Sequence, residues 1–277
     1  MLQIAAALKP LPRVLVFHGP IASFCSCSFA LKPSGFVEGT LSTFPDGIQT
    51  TSSMTKLIVR PTTSSDVDPL LKLQTQIYPT IAPWKRDQLR HQLEVFPEGQ
   101  LVAVLNERIV GCASSLIILW DEWSDEHTWD EITAAGTFDT HNPAGFTLYG
   151  AEVFVDPRLR GQRVGHALYE GRRKICKQLN LRRIIACGRL PGYHAFASVM
   201  PVELYAKKVL WGDLVDPVLS FQLREGFRYC GIMKMYIPED HDSCGNAALI
   251  AWINPDFNSI QPTGLQHSTT PLVKSTP

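Results

Sequence analysis

The stretch that most restricts the fold of this chain is FVDPRLRGQRVG, residues 154–165. An apolar run ends at Asp156-Pro157, two glycines follow among arginines, and Val164 opens a segment with helical spacing. Within that segment Val164, Ala167, Leu168, Ile175 and Leu179 recur at spacings of three, four and seven, which makes one apolar face. Arg172, Arg173, Lys174 and Lys177 crowd its C-terminal half, where positive charge suits the helix dipole. Its start is different. The first amides of a helix have no partner within it and carry partial positive charge, so they bind phosphate readily. Gly161 and Gly165 keep side chains away from an approaching ligand, while Arg160 and Arg163 add charge. Two readings of this stretch stand side by side: a pyrophosphate cradle, or glycines that permit a tight turn and close helix–sheet packing. Neither GxxxxGK[ST] nor a GxGxxG opening the first strand–helix unit is present, so two better-known phosphate loops are excluded.

The order of elements around this turn is legible. A strand is expected over 56–60. Ser65 or Asp66 caps a helix through Leu70, Leu71, Leu73 and Ile77. A second helix is expected near 86–95. Apolar runs at 101–105 and 109–119 flank Asn106-Glu107-Arg108, a hairpin signal. Further strands are expected over 148–155 and 183–187, on either side of the glycine-bearing helix. Residues 188–215 read as an insertion with a helix over 202–210. A helix over 216–225 stops at Gly226, and strands over 227–233 and 247–253 close the domain. Antiparallel hairpins followed by a β-α-β crossover give an α/β fold with a mixed, mostly antiparallel central sheet and helices on both faces.

The ends differ from this middle. Residues 1–53 are rich in Ser, Pro and small residues, with Glu38 and Asp46 their only acids. An organelle leader, a disordered extension, and an upstream start codon with Met54 as the working one are the competing explanations. The folded domain is expected over 54–256, and 257–277 reads as a disordered tail. The 277 residues carry no net formal charge, which argues against a dedicated nucleic-acid binder. No run resembles a membrane span of about 20 apolar residues. The seven cysteines are scattered, and reduced thiols in an intracellular, cytoplasmic protein are the plainer reading. His127 and His141 have no partners at zinc-ligand spacing, so no metal is assigned.

Val155-x-Pro157-x-x-Arg160-Gly161-x-x-x-Gly165 after a strand resembles the acetyl-CoA-binding motif of the GNAT N-acetyltransferase superfamily, and the element order resembles its fold. The likeness extends over 57–256. The blocks TWDEITAAGTF, HNPAG, TLYGAEVFVDP, GRLPGYH, DPVLSFQLREGF and AALIAWINP resemble the GNAT domain that some bifunctional proteins carry ahead of a nitrilase-like carbon–nitrogen hydrolase. The hydrolase half is absent from this sequence, so no nitrilase activity is expected.

The resemblance implies direct transfer of an acetyl group from acetyl-CoA to an amine. By position, the amides of Gln162, Arg163, Val164 and Gly165 would hold the pyrophosphate, with Arg160 and Gly161 at its edge. The backbone of Val153, Phe154 and Val155 would pair with the pantetheine arm, and the Val155 amide would polarise the thioester carbonyl. The Arg163 amide serves whatever its side chain, provided its φ is negative. Glu152, beside the thioester position, is the candidate base. The family's general acid is often a tyrosine four residues before a Gly-Phe pair. Before Gly226-Phe227 that position holds Gln222, which donates a hydrogen bond but supplies no proton. Tyr193 and His194 in GRLPGYH are the substitutes. Residues 120–131, WDEWSDEHTWDE, read either as a lip for a cationic amine or as an amphipathic turn whose tryptophans cover the core. The acceptor is unidentified, and a second copy of the chain or a separately encoded hydrolase is the candidate protein partner.

Overall fold

The structure, a computed structural model, describes residues 56–78, 83–124 and 126–264. The expectations for residues 1–53 and for 265–277 lie outside the described residues. Seven strands form one sheet in the order β1-β2-β3-β4-β5-β7-β6. They are β1 (Leu57–Pro61), β2 (Gln100–Leu105), β3 (Arg108–Ile118), β4 (Thr147–Val155), β5 (Arg183–Arg189), β6 (Arg228–Met233) and β7 (Ala247–Ile253). All neighbours are antiparallel except β4 and β5. That pair is joined by α4 (Val164–Gln178), the expected crossover. The β2–β3 turn has only two residues, Asn106 (φ 49°) and Glu107 (φ 63°), both left-handed as a tight twisted hairpin requires.

Strand alternation sorts the core into two faces. Leu101, Ala103, Ala113, Ile117 and Leu148 face α4. Val102, Cys112 and Phe154 face α1 (Val67–Ile77) and α2 (Arg86–Val95), through Leu70, Leu73 and Leu89. Leu168, fully buried on α4, is a central contact, and truncating it to alanine costs roughly 3 kcal/mol. Further along the second face, α3 (Trp129–Thr133) and the expected tryptophan-rich turn cover Leu116, Ile118 and Tyr149.

Some boundaries differ from expectation for local reasons. β5 runs on to Arg189 because β7 pairs with it along its whole length, ending at Arg189↔Ala247. Within the insertion, α5 spans Val202–Trp211. The next helix, α6 (Leu219–Arg224), is shorter than expected. Asp216 stands before it as a cap, accepting from the Val218 and Leu219 amides at 2.9 Å each. Residues 257–264, expected within a disordered tail, pack back over the end of α4. Asn180 Nδ2 donates to the Asn258 and Gln261 carbonyls at 2.8 Å each, and the Gly264 amide donates to the Leu179 carbonyl at 3.1 Å.

Candidate active site

The site begins where two parallel strands part. β4 and β5 pair only from Thr147↔Arg183 to Gly150↔Ala186. Beyond that, Cys187, Gly188 and Arg189 follow β7, while the second half of β4 keeps only β3. A bulge sits at the parting point. Ser114 faces Glu152 and Ser115 faces Gly150, which leaves Ala151 unpaired. The extra residue turns β4 away from β5, and a cleft of about 770 Å³ opens between them, reaching from Gly150 to Gly165.

Along this wall the backbone has unused capacity. The Asp156 amide donates to the Val110 carbonyl on β3 at 2.8 Å. The Val155 amide, one residue back in an extended strand, therefore points the opposite way, into the cleft. The Val153 amide shares that direction and is taken by the Glu152 carboxylate at 3.0 Å.

At the mouth lies the glycine-bearing turn. The amides of Gly161, Arg163, Val164, Gly165 and His166 make no protein hydrogen bond among the described residues. Gly161 has φ +81°, and a Cβ there would meet open space. Two expectations need correction. Gln162 turns its amide inward to the Leu159 carbonyl at 3.2 Å, so it is not part of the exposed donor set. Arg163 has φ 60°, not a negative value. Left-handed residues beside right-handed ones curl successive N–H groups into a concavity of the kind that suits an anion, and the positive φ here costs about 1 kcal/mol in a non-glycine residue. Arg160 and Arg163 are exposed at the same rim.

Glu152 stands on the cleft wall and is half-buried. Burial pushes its carboxyl above the ordinary range, against the opposing pull of the Val153 amide, Arg172, Arg189 and the nearby Tyr78 hydroxyl. Trp129 donates from Nε1 to the carbonyl of the bulge residue Ala151 at 3.0 Å. The WDEWSDEHTWDE segment is shared between core and cleft. Trp120 and Trp123 cover the core, while Trp129 and Asp130 also line the cleft.

Gln222 on α6 also lines the cleft, packed against Gly188 of β5. It is buried, its Nε2 donates to the Tyr169 hydroxyl at 3.2 Å, and its Oε1 has no hydrogen-bond partner among the described residues. Tyr193 and His194 are not brought to the cleft. The Tyr193 ring lies in the core 5.4 Å from Tyr205 and its hydroxyl donates to the Met200 carbonyl at 3.2 Å, while His194 is exposed. Burial lowers His141 to about 4, and its Nδ1 accepts the Ile117 amide, a structural role. Among the described residues, no group of three or more His, Cys, Asp or Glu is placed to hold a metal, and no helix is long and apolar enough to cross a membrane.

Two residues of α4 were missed as site groups. Tyr169 and Arg172 both line the cleft and are both buried. By sequence, Arg172 belongs to the cluster of positive charge in the C-terminal half of the helix. Its position between Leu168 and Ile175 on the apolar stripe is the signal that marks it as inward-facing. Arg173 is also drawn in, to Glu225 at 2.9 Å.

Residues 67–198 match the model of the acetyltransferase (GNAT) family. The chain is 34% identical over 202 residues to the uncharacterized N-acetyltransferase YkwB of Bacillus subtilis, covering 72% of this chain and 89% of that one. It is 43% identical over 202 residues to the probable hydrolase YhcX of the same organism, covering 73% of this chain but only 39% of that longer protein. In shape it is similar to the GphF GNAT-like decarboxylase in complex with isobutyryl-CoA, with a TM-score of 0.61, 24% identity, and coverage of 71% of this chain and 99% of that one. The chain belongs to the GNAT acetyltransferase family, and so to a class of acyl-CoA-dependent acyltransferases.

Proposed function

We propose that this protein is an acyl-CoA-dependent N-acyltransferase that moves the acyl group to an amine by direct attack, with acetyl-CoA the donor that the sequence resemblance implies. The observation that carries the reading is the continuity of the cleft. The unpaired half of β4 leads without a break to the unpartnered amides at the start of α4. A diphosphate fits those amides, because the cradle is open at Gly161 and edged by Arg160 and Arg163. Val164 and Gly165 continue the donor row, and the backbone of Val153, Phe154 and Val155 offers the pantetheine arm a strand to pair with.

Glu152 is the candidate base. A carboxyl raised toward neutrality accepts a proton from an ammonium more readily than an ordinary one. Tyr169 supplies the acid function that Gln222 lacks. Because Gln222 donates to the Tyr169 oxygen, the hydroxyl proton remains available to a departing thiolate, and Gln222 acts as its positioning residue. Gln222 at the family's tyrosine position also supports a second reading, an acyl-CoA-binding module with weak catalysis.

Calorimetric titration with acetyl-CoA, together with thiol release over a panel of amines, tests both. Binding with release above the solvent background supports the transferase. Tight binding with no release for any amine eliminates it in favour of the binding module, and absence of binding removes both.

A further inference from the structure

Arg172 is the largest fully buried side chain, 2% exposed. Its guanidinium has five N–H donors. Nε donates to Ser115 Oγ at 3.0 Å, and Nη2 donates to the Ser114 carbonyl at 2.7 Å and to the Glu152 carbonyl. These three bonds clamp β3 to β4 at the bulge. Nη1 is the remainder. It has no hydrogen-bond acceptor among the described residues and lies 2.9 Å from where a Cβ of Gly150 would stand. Only a glycine leaves that approach open.

The charge balance is equally unusual. No carboxylate of the described residues lies within ion-pair distance of Arg172, whereas its neighbour Arg173 pairs with both Glu170 and Glu225. Glu152 lies near enough to act on it electrostatically, but its carboxylate accepts the Val153 amide rather than any N–H of Arg172. The guanidinium lies over the Tyr169 ring, 5.7 Å from its centroid, which offsets part of the cost of burial but supplies no counter-charge, and a buried cation without a counter-charge is costly. The clamp needs only Nε and Nη2. A neutral donor would close the bulge without that cost, so the spare charge and the two N–H groups of Nη1 call for a ligand.

The position of this cation in the cleft decides which ligand. Arg172 lies with Gly150 and Ala186 where β4 and β5 first part, at the opposite end from the diphosphate cradle. On the reading above, pantetheine runs from that cradle along Val155 and Val153, so this end receives the acyl group. We infer that the Arg172 Nη1 subsite binds a carboxylate borne by the acyl group, and that the preferred donor is a dicarboxylic acyl-CoA of the malonyl or succinyl class. A planar guanidinium edge and a carboxylate are matched in geometry, and a charge-assisted hydrogen bond in a water-poor cleft favours the acid-bearing ester over a neutral one.

This inference rests on the proposed acyl-CoA site, and the test separates the two. Malonyl-, succinyl-, acetyl- and butyryl-CoA are titrated into the full chain by calorimetry at fixed ionic strength. A malonyl or succinyl ester is expected to bind about 10-fold or more tighter than the neutral ester of matching length. Arg172→Met should abolish that preference while neutral esters keep their affinity. Because Arg172 also clamps the bulge, Gly150→Ala serves as a second variant. Its methyl carbon would stand 2.9 Å from Nη1 and 3.1 Å from Cζ, so it crowds the cleft-facing edge of the guanidinium and should erode the preference, and a melting temperature near the parent's shows that the fold is kept. Equal binding of acid-bearing and neutral esters by the wild-type chain overturns the inference and leaves the acyl-CoA site standing. Failure of every ester to bind overturns both.

Discussion

The Glu152 carboxylate accepts a hydrogen bond from the amide of its own successor, Val153, at 3.0 Å, on the side of β4 that faces the cleft. A backbone donor on the cleft wall and the candidate base are therefore one local unit. Any carbonyl that takes the Val153 amide must displace the carboxylate, and displacement leaves that carboxylate in a poorly solvated wall where it is a stronger base.

Replacing Glu152 with glutamine follows from this. The variant should lose roughly 100-fold or more in kcat for amine acylation, the range expected for a positioned base. The pH profile distinguishes this from simple disruption. In the wild-type protein the rate should fall as pH drops through a pKa above the ordinary carboxylate value, because burial raises Glu152. That limb should vanish in Glu152→Gln. Stability moves in a separate way. A carboxyl whose folded pKa is raised favours the folded state at pH below its unfolded value, and that contribution is lost as pH rises through the folded pKa. Near neutral pH the glutamine variant should therefore be at least as stable as the parent.

Gly161→Asp tests the cradle. A Cβ at Gly161 meets open space, and aspartate tolerates φ +81° better than most residues, so the melting temperature should shift little. A carboxylate set against a diphosphate should weaken acetyl-CoA binding by about 10-fold to 100-fold, since like charges at such a distance cost 1–3 kcal/mol at surface dielectric, an order-of-magnitude estimate. Calorimetry on the folded variant measures it. Unchanged affinity would place the diphosphate elsewhere.

The sequence made the sheet and the glycine-bearing turn before α4 legible because both rest on local pattern. β7 and α2 fall where periodicity places them, and Gly226 ends α6 with φ +84° as a left-handed stop. What it concealed depends on long-range contact. Arg172 is 57 residues from Ser115, and only the folded bulge shows that its neighbour is a hydroxyl rather than solvent. Tyr193 lies in a proline-shaped loop beside a strand end, yet α5 covers it, and no local signal shows that a later helix does so. The left-handed Arg163 was likewise invisible, because nothing about arginine favours that conformation.

Tyr169→Phe isolates the proposed acid. The ring is held edge-on by Phe221 at 5.4 Å and Phe227 at 5.3 Å, so phenylalanine should keep its place. Loss of the hydroxyl leaves the Gln222 amide without its partner and should cost about 1–2 kcal/mol of stability. If Tyr169 protonates the departing thiolate, kcat should fall at least about 10-fold while acetyl-CoA affinity, measured separately, changes little. A kcat unchanged in this variant would remove Tyr169 from the chemistry.

Asp156 governs the turn between strand and cradle, and its test is one of acid stability. It is buried, accepts the Arg158 amide at 3.0 Å and the Arg158 guanidinium at 2.9 and 2.7 Å, and lies 3.4 Å from Arg108. These bonds, Arg158 first, hold its carboxyl at about 2. A depressed folded pKa gives stability that is present above the unfolded value near 4, a reference figure, and is lost as pH falls toward the folded one. Both arginines are largely exposed, so solvent screens the ion pairs and the amide cap is the dependable part. Asp156→Ala should therefore lose about 1 kcal/mol at neutral pH. Urea denaturation at pH 7 and pH 3 should show the gap between parent and variant narrowing at the lower pH. Because the turn sets where Gly161 and Arg163 present their amides, the same variant should bind acetyl-CoA more weakly even under conditions where it is fully folded.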